Sequence, residues 1–271
     1  MLFFPKIVSQ SNGITTIKLP GKLWKCLPVT ASQMLAAEVR TEKRTAAIFI
    51  IPIYQANEII SVELPHPWWF SLSSVYEKYL VIQGYATPDM PVLEGITVMD
   101  AQTGQILWQE GSARMDGVTP AGILCHAAIR PSKKKLLDWE TGEPIPPGSS
   151  IDNHTPEKIT ELEIGENLAY PSVFTNVHPL FKQYQDHLQQ LCRLKPVMQL
   201  ELITLNQSTW AMGYESSQAG YMPFLVSWKG STLEHLIKGK IPQKGISLDS
   251  FFGMQDTVIA QLAPEELLII R

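Results

Sequence analysis

Apolar runs of strand length, separated by turn residues, recur along most of this chain, and they constrain its fold more than anything else in the sequence. In the first 145 residues they are Gln33–Arg40 (QMLAAEVR), Ala46–Tyr54 (AAIFIIPIY), Tyr79–Tyr85 (YLVIQGY), Ile96–Asp100 (ITVMD) and Gln105–Gln109 (QILWQ). The runs are rich in Ile, Val, Tyr, Phe and Trp, with Gly, Pro, Asn or Asp between them at roughly the 8–12-residue spacing of an all-β meander. Strands alternating with helices would show a different period.

The hairpin D-A-Q-T-G-Q-I-L-W at Asp100–Trp108 sharpens this reading. Asp100 can hydrogen-bond its own turn, and Gly104 supplies a residue that takes positive φ without steric cost. Trp108 is then expected to turn its ring inward. The same turn recurs at Asp138 as D-W-E-T-G-E-P, with Thr141 and Gly142 in register, at a separation close to one propeller blade of roughly 40–45 residues. Degenerate copies are read at Lys229-Gly230-Ser231 and at Ala56-Asn57. The segment Glu143–Pro156 (EPIPPGSSIDNHTP) reads as a linker.

One stretch changes period. In His178–Leu194, residues Leu180, Tyr184, Leu188, Leu191 and Cys192 share a helical face, with Pro179 suited to the first turn and Pro196 barring continuation. Strand patterns resume from Val197 and end in ELLIIR. Leu267–Ile270 are expected to pair near Ile14–Leu19 or Leu23–Leu27, because an apolar terminal strand left unpaired exposes a bare edge. The whole predicts an all-β fold: one domain over 1–271, a small β-propeller-like array of about five blades at roughly 45 residues each, with one inserted α-helix near 178–194. The alternative is a pair of stacked meanders that never close.

The Asp, Thr-Gly and Trp hairpin resembles the repeat of quinoprotein-like β-propellers. Over nearly its whole length the chain is similar to an uncharacterised bacterial family of like size, a domain of unknown function. PHPWWFSL, the Gly84-Tyr85 strand followed by PDMPVLEGITVMDAQTGQILWQ, and LDSFFGMQDTVIAQ carry that likeness. The resemblance implies fold and length but no catalytic residue. The chain departs from the quinoprotein enzymes, which are much longer and exported and ring their cofactor with calcium-binding carboxylates.

Composition narrows function by exclusion. Lys and Arg number 22 against 26 Asp and Glu, a formal charge of −4, so no nucleic acid and no membrane partner is expected. Neither a secretory signal nor a membrane span is read, and the cytoplasm is the expected compartment. Cys26, Cys125 and Cys192 are too scattered for a disulfide framework or zinc knuckle and are read as reduced. The six histidines form no ligand-spaced pair, and His178 and His187 fall on opposite helix faces, so no metal is expected. No cofactor is expected either, since phosphate loops and nucleophile elbows are missing. Glu161 and Glu163 could share a strand face as an acid–base pair, although a solvated face explains them more simply. Lys133-Lys134-Lys135 reads as a solvated turn.

The cluster His66-Pro67-Trp68-Trp69-Phe70 is the strongest candidate. Adjacent strand residues point to opposite sides, so Trp68 and Trp69 cannot both enter one core layer. Either one packs in its blade and the other between blades, which carries more weight, or one stands exposed near His66 and Tyr85 and stacks on a ligand. His66, Trp68, Trp69 and Tyr85 are the candidate ligand-binding residues; Asp100, Gly104, Asp138 and Gly142 are structural turns. The favoured function is a non-catalytic binding scaffold with a protein or peptide partner. The alternative is a hydrolase or carbohydrate-active enzyme with a central cleft, which a His–carboxylate pair in a pocket would favour.

Overall fold

The computed structural model describes residues 5–42, 45–55, 58–63, 70–87, 90–128, 133–146, 168–245 and 250–271. Two compact units are present, Met1–Pro5 with Pro20–Gly165 and Lys6–Leu19 with Glu166–Arg271. The described strands form five antiparallel sheets, and one α-helix stands among them.

The chain begins in the second unit with the hairpin β1 (Lys6–Ser11) and β2 (Ile14–Lys18). It then builds the first unit. Strands β3 (Lys22–Val29), β4 (Met34–Arg40), β5 (Ala46–Pro52) and β6 (Ile60–Glu63) form a four-stranded sheet in chain order. Another follows from β7 (Phe70–Tyr76), β8 (Tyr79–Thr87), β9 (Met90–Asp100) and β10 (Ile106–Glu110), then a three-stranded one from β11 (Ala113–Thr119), β12 (Gly122–Ala127) and β13 (Lys135–Leu137). Strand alternation explains why the middle sheet buries both faces. Leu80 and Ile82 of β8 join Val29, Ile48 and Ile50 in one core. Their neighbours Tyr79 and Val81 join Val118, Ile123 and Trp139 in the other.

The two repeated turns lock these sheets. Asp100 Oδ1 accepts from the backbone N–H of Gln102 (2.8 Å) and Thr103 (2.9 Å), and Thr103 Oγ1 accepts from Gln105 N–H (3.3 Å). Asp138 Oδ1 accepts from Glu140 N–H (3.0 Å) and Thr141 N–H (2.9 Å), with Thr141 Oγ1 taking Glu143 N–H (3.2 Å). Gly104 has φ +71° and Gly142 φ +70°. Their surroundings correspond too. A Cβ on Gly104 would stand 2.8 Å from Ile60 Cγ2 on β6, and one on Gly142 2.6 Å from the Trp108 ring on β10. Each turn therefore presses a bare backbone against the last strand of the preceding sheet. Trp108 lies partly buried and donates its indole N–H to Trp139 O (2.9 Å). Trp139 donates to Thr119 O (3.1 Å) and stacks on both Tyr76 and Tyr79. The Lys229-Gly230-Ser231 turn shares only the positive φ (+58°): nothing lies within 4 Å of a Cβ there. It lacks the Asp and Thr that tie the other two, and so locks nothing. Asn57 lies outside the described residues.

The second unit holds β14 (Leu168–Ala169), β15 (Ser172–Thr175) and the helix α1 (Pro179–Cys192). Strands β16 (Gln199–Leu205), β17 (Ser208–Ser217), β18 (Gly220–Lys229) and β19 (Thr232–Lys238) complete a five-stranded sheet with β15. Strands β20 (Phe251–Met254), β21 (Thr257–Ala263) and β22 (Glu266–Ile270) complete a six-stranded one, ordered β1-β2-β22-β21-β20-β14. Strand β22 thus lies between β2 and β21, with Ile14 opposite Ile270 and Ile17 opposite Leu267. Of the two expected partners for the last strand, Ile14–Lys18 takes it, while Leu23–Leu27 pairs with β4.

Helix α1 starts where Pro179 suggested, with His178 Nδ1 accepting Leu180 N–H (3.2 Å). Its inward face differs by one residue from expectation. Phe181 and Leu188 are buried, flanked by Tyr184, Leu191 and Cys192, whereas Leu180 is 41% exposed. At about 100° per residue, Phe181 falls about 20° from Leu188 around the axis and Leu180 about 80°. The larger ring sits nearer the centre of the stripe and is the one buried.

Candidate ligand cleft

A β-bulge opens a concavity in the first unit. Gln83 pairs with Ile96 and Tyr85 with Leu93, so the single residue Gly84 faces the pair Glu94-Gly95. An extra residue of this kind needs a backbone that bends, and Gly95 provides it at φ +87°. Above the bulge lies an open cleft of about 380 Å³, lined by Phe70, Tyr85, Glu94, Thr97, Gln109, Glu110 and the backbones of Gly84, Gly95 and Gly111. Gly111 does not have a left-handed backbone, and nothing lies within 4 Å of a Cβ built on it. The fold makes no demand for glycine there; its effect is to leave main chain open to the cleft.

The polar walls are pre-set. Gln109 Nε2 donates to Thr97 Oγ1 (3.2 Å). Glu110 Oε1 accepts from Ser112 N–H (3.0 Å) and Ser112 Oγ–H (2.8 Å). Those two bonds, the backbone one foremost, hold the Glu110 carboxyl below the usual range despite opposing burial. Glu94 Oε2 lies 3.7 Å from Arg114 Nη2. Two carboxylates, an amide, a phenol and a phenyl ring surround the exposed backbone of Gly111, which suits holding a ligand by hydrogen bonds and ring contact. Among the described residues that line the cleft there is no histidine, cysteine or serine.

Of the predicted ligand-binding residues, Tyr85 stands in this cleft; His66, Trp68 and Trp69 lie outside the described residues. Phe70, the first described residue after them, opens β7 and also lines the cleft. Sequence reasoning passed over Glu94, Glu110 and Gly111. Their signal was the repeated dipeptide Glu-Gly, at 94–95 within β9 and at 110–111 where β10 ends. It passed over Trp24 as well, 62% exposed and seated on Arg40.

Other chemistry-bearing groups are accounted for by structure. His126 Nδ1 lies 3.1 Å from both Asp116 oxygens, with Lys134 Nζ 3.7 Å from Asp116. The neighbouring Cys125 thiol is pushed up to about 11 by burial, so it is protonated at neutral pH. Burial also pushes Cys26 up to about 12 and raises Cys192, and all three cysteines are free. His235 stacks on Trp210 and shares a 2.9 Å hydrogen bond with Ser227. Among the described residues no group of three or more His, Cys, Asp or Glu is placed to hold a metal. Among the same residues no helix is long and apolar enough to cross a membrane. Glu161 and Glu163 lie outside the described residues.

A family model, described as a domain of unknown function (DUF4905), matches residues 29–108. The matched span falls short of half the chain; it contains Tyr85, Glu94 and Thr97 but stops before Glu110. No curated protein matches the chain. Among solved structures, the N-terminal domain of Nup159 is similar at 12% identity, covering 97% of this chain and 85% of its own, with a TM-score of 0.33. BamB from Moraxella catarrhalis is similar at 10% identity, covering 95% and 88%, with a TM-score of 0.32. Likenesses this faint say nothing of what the chain binds.

Proposed function

We propose that the protein is a non-catalytic binding scaffold that holds an extended peptide segment of a protein partner in the cleft over the β8–β9 bulge. The observation that carries this reading is the open main chain at Gly111, where nothing lies within 4 Å of a Cβ, beside Tyr85 and the glycines of the bulge. Bare backbone at Gly111, just past the edge strand β10, offers N–H and C=O groups to another backbone, and the walls supply side-chain contacts that choose between sequences. Tyr85 contributes a rigid amphipathic surface, the residue type favoured at recognition sites. His66, Trp68 and Trp69, just before β7, are the proposed remainder of the site. We place the protein in the cytoplasm, as one domain without cofactor.

The test is a peptide selection against the whole protein, followed by titration of the enriched peptides. Gly111→Val should abolish binding while leaving the melting temperature nearly unchanged, because its side chain enters open space. Tyr85→Ala should weaken binding by about tenfold or more, as loss of a buried aromatic anchor does. Peptides that bind Gly111→Val and Tyr85→Ala as well as the parent would refute the assignment.

A further inference from the structure

A second bulge, on β3 in the same unit, points to a different kind of ligand, independently of the cleft. Leu23 pairs with Val39 and Lys25 with Glu38, so Trp24 is an extra residue on an edge strand. The bulge resets the alternation and turns Trp24 onto the face that already carries Lys22, opposite Arg40, and Lys25, opposite Glu38. Trp24 remains 62% exposed, yet its ring lies 4.0 Å from the Arg40 guanidinium. Arg40 is itself fixed: its Nε and Nη2 each lie 2.7 Å from Glu38 Oε1, and the Glu38 side chain is fully buried. The other oxygen of Glu38 accepts from Leu72 N–H (2.9 Å) and Ser71 Oγ–H (3.0 Å) on β7. Lys25 Nζ donates to Ser73 O (2.9 Å).

Two physical effects arise from this arrangement. An indole clamped onto a buried ion pair loses little freedom when its outer face is covered, so stacking there costs little ordering entropy. A cation beneath the ring draws π-electron density toward itself and leaves the opposite face less attractive to another cation. The surroundings agree, since Lys22, Lys25 and Arg40 share this face with Glu38, whose carboxylate is already paired with Arg40. Burial also lowers the Lys25 ammonium below its usual value, against the pull of Glu38, so a nearby anion would favour its charged form.

We infer that the outer face of Trp24 is a stacking site for a small planar aromatic anion, its ring over the indole and its negative group toward Lys22 and Lys25. The probes are benzoate, benzamidinium (an aromatic cation) and cyclohexanecarboxylate (an anion without a π-face). The readout is the set of indole N–H resonances of the seven tryptophans in the intact protein, with Trp24→Phe identifying the Trp24 signal; should Trp24→Phe disturb the fold, Trp24→Tyr makes the same assignment. Benzoate should move the Trp24 resonance saturably, and both other probes should bind about tenfold more weakly. Lys22→Gln should weaken benzoate several-fold and flatten its salt dependence. Tyr85→Ala and Gly111→Val should change nothing here, so failure of the peptide cleft and failure of this site are separable. Benzamidinium binding as well as benzoate, a Trp24 signal that does not move with benzoate, or unchanged affinity in Lys22→Gln would each overturn the inference.

Discussion

The middle sheet of the first unit and the five-stranded sheet of the second face the same packing problem and solve it differently. Each buries both faces. The β7–β10 sheet is covered by two other sheets and pinned to them by the Asp100 and Asp138 turns. In the β15–β19 sheet, Leu225, Met212 and Trp210 pack toward the last sheet, while Phe224, Val226 and Leu200 pack under α1. The sheet covers of the first unit are pinned by turns slim enough to touch the neighbouring strand, so glycine is demanded at those two contacts. A helix cover needs a few large side chains on one stripe. The difference teaches where each unit can be broken.

The largest effect should come from the strand that completes the last sheet. Leu267, Leu268, Ile269 and Ile270 are each 5% exposed or less. At about 1.5–3 kcal/mol apiece, their burial rivals a domain's whole net stability of about 5–15 kcal/mol. Deleting Leu267–Arg271 should abolish soluble expression; a truncated monomer melting within a degree or two of the parent would show that β22 is dispensable. Next come the anchors of the helix cover. Phe181→Ala and Leu188→Ala should each destabilise by about 2–5 kcal/mol in denaturant unfolding, and Leu180→Ala by less than about 0.5 kcal/mol. Equal effects at all three would return the helix face to the one expected from periodicity.

Smaller again are the turn glycines, which should rank by what their new Cβ meets. Gly230→Ala should cost about 1 kcal/mol, from positive φ alone. Gly104→Ala should cost more, and Gly142→Ala most, because the Trp108 ring is held by its own hydrogen bond and cannot yield as a methyl group can. The smallest effect concerns pH. Hydrogen bonds from Thr141 and Glu140, the Thr141 N–H foremost, hold the Asp138 carboxyl below its usual value. A depressed folded value adds stability that is present above the unfolded value of about 3.9 and is lost as pH falls through the folded one. The melting-temperature gap between the parent and Asp138→Asn should therefore be widest near neutrality and narrow below about pH 4. A gap that widens in acid would reverse the assignment.

How legible the molecule was depends on the range of the physics involved. The Asp-x-x-Thr-Gly turns could be read because every bond in them spans five residues or fewer. The strands could be read because burial on two faces leaves continuous apolar runs. The bulges at Trp24 and at Gly84 could not, since one extra residue leaves composition and spacing almost unchanged while reversing which side chains share a face. That is why Tyr85 was singled out but Glu94, Glu110 and Trp24 were not. The cover chosen by each sheet was equally invisible: Trp108 meets Gly142 across a gap of sequence that no local pattern spans.

The central claim is that the cleft over the β8–β9 bulge, beside the open main chain of Gly111, is where this protein holds its partner. Hydrogen–deuterium exchange with and without a selected peptide tests it most directly. New protection is predicted at Gly84–Tyr85, Glu94–Thr97 and Gln109–Gly111, lost in Gly111→Val. Protection confined to other strands, with those three segments exchanging as in the free protein, would contradict it.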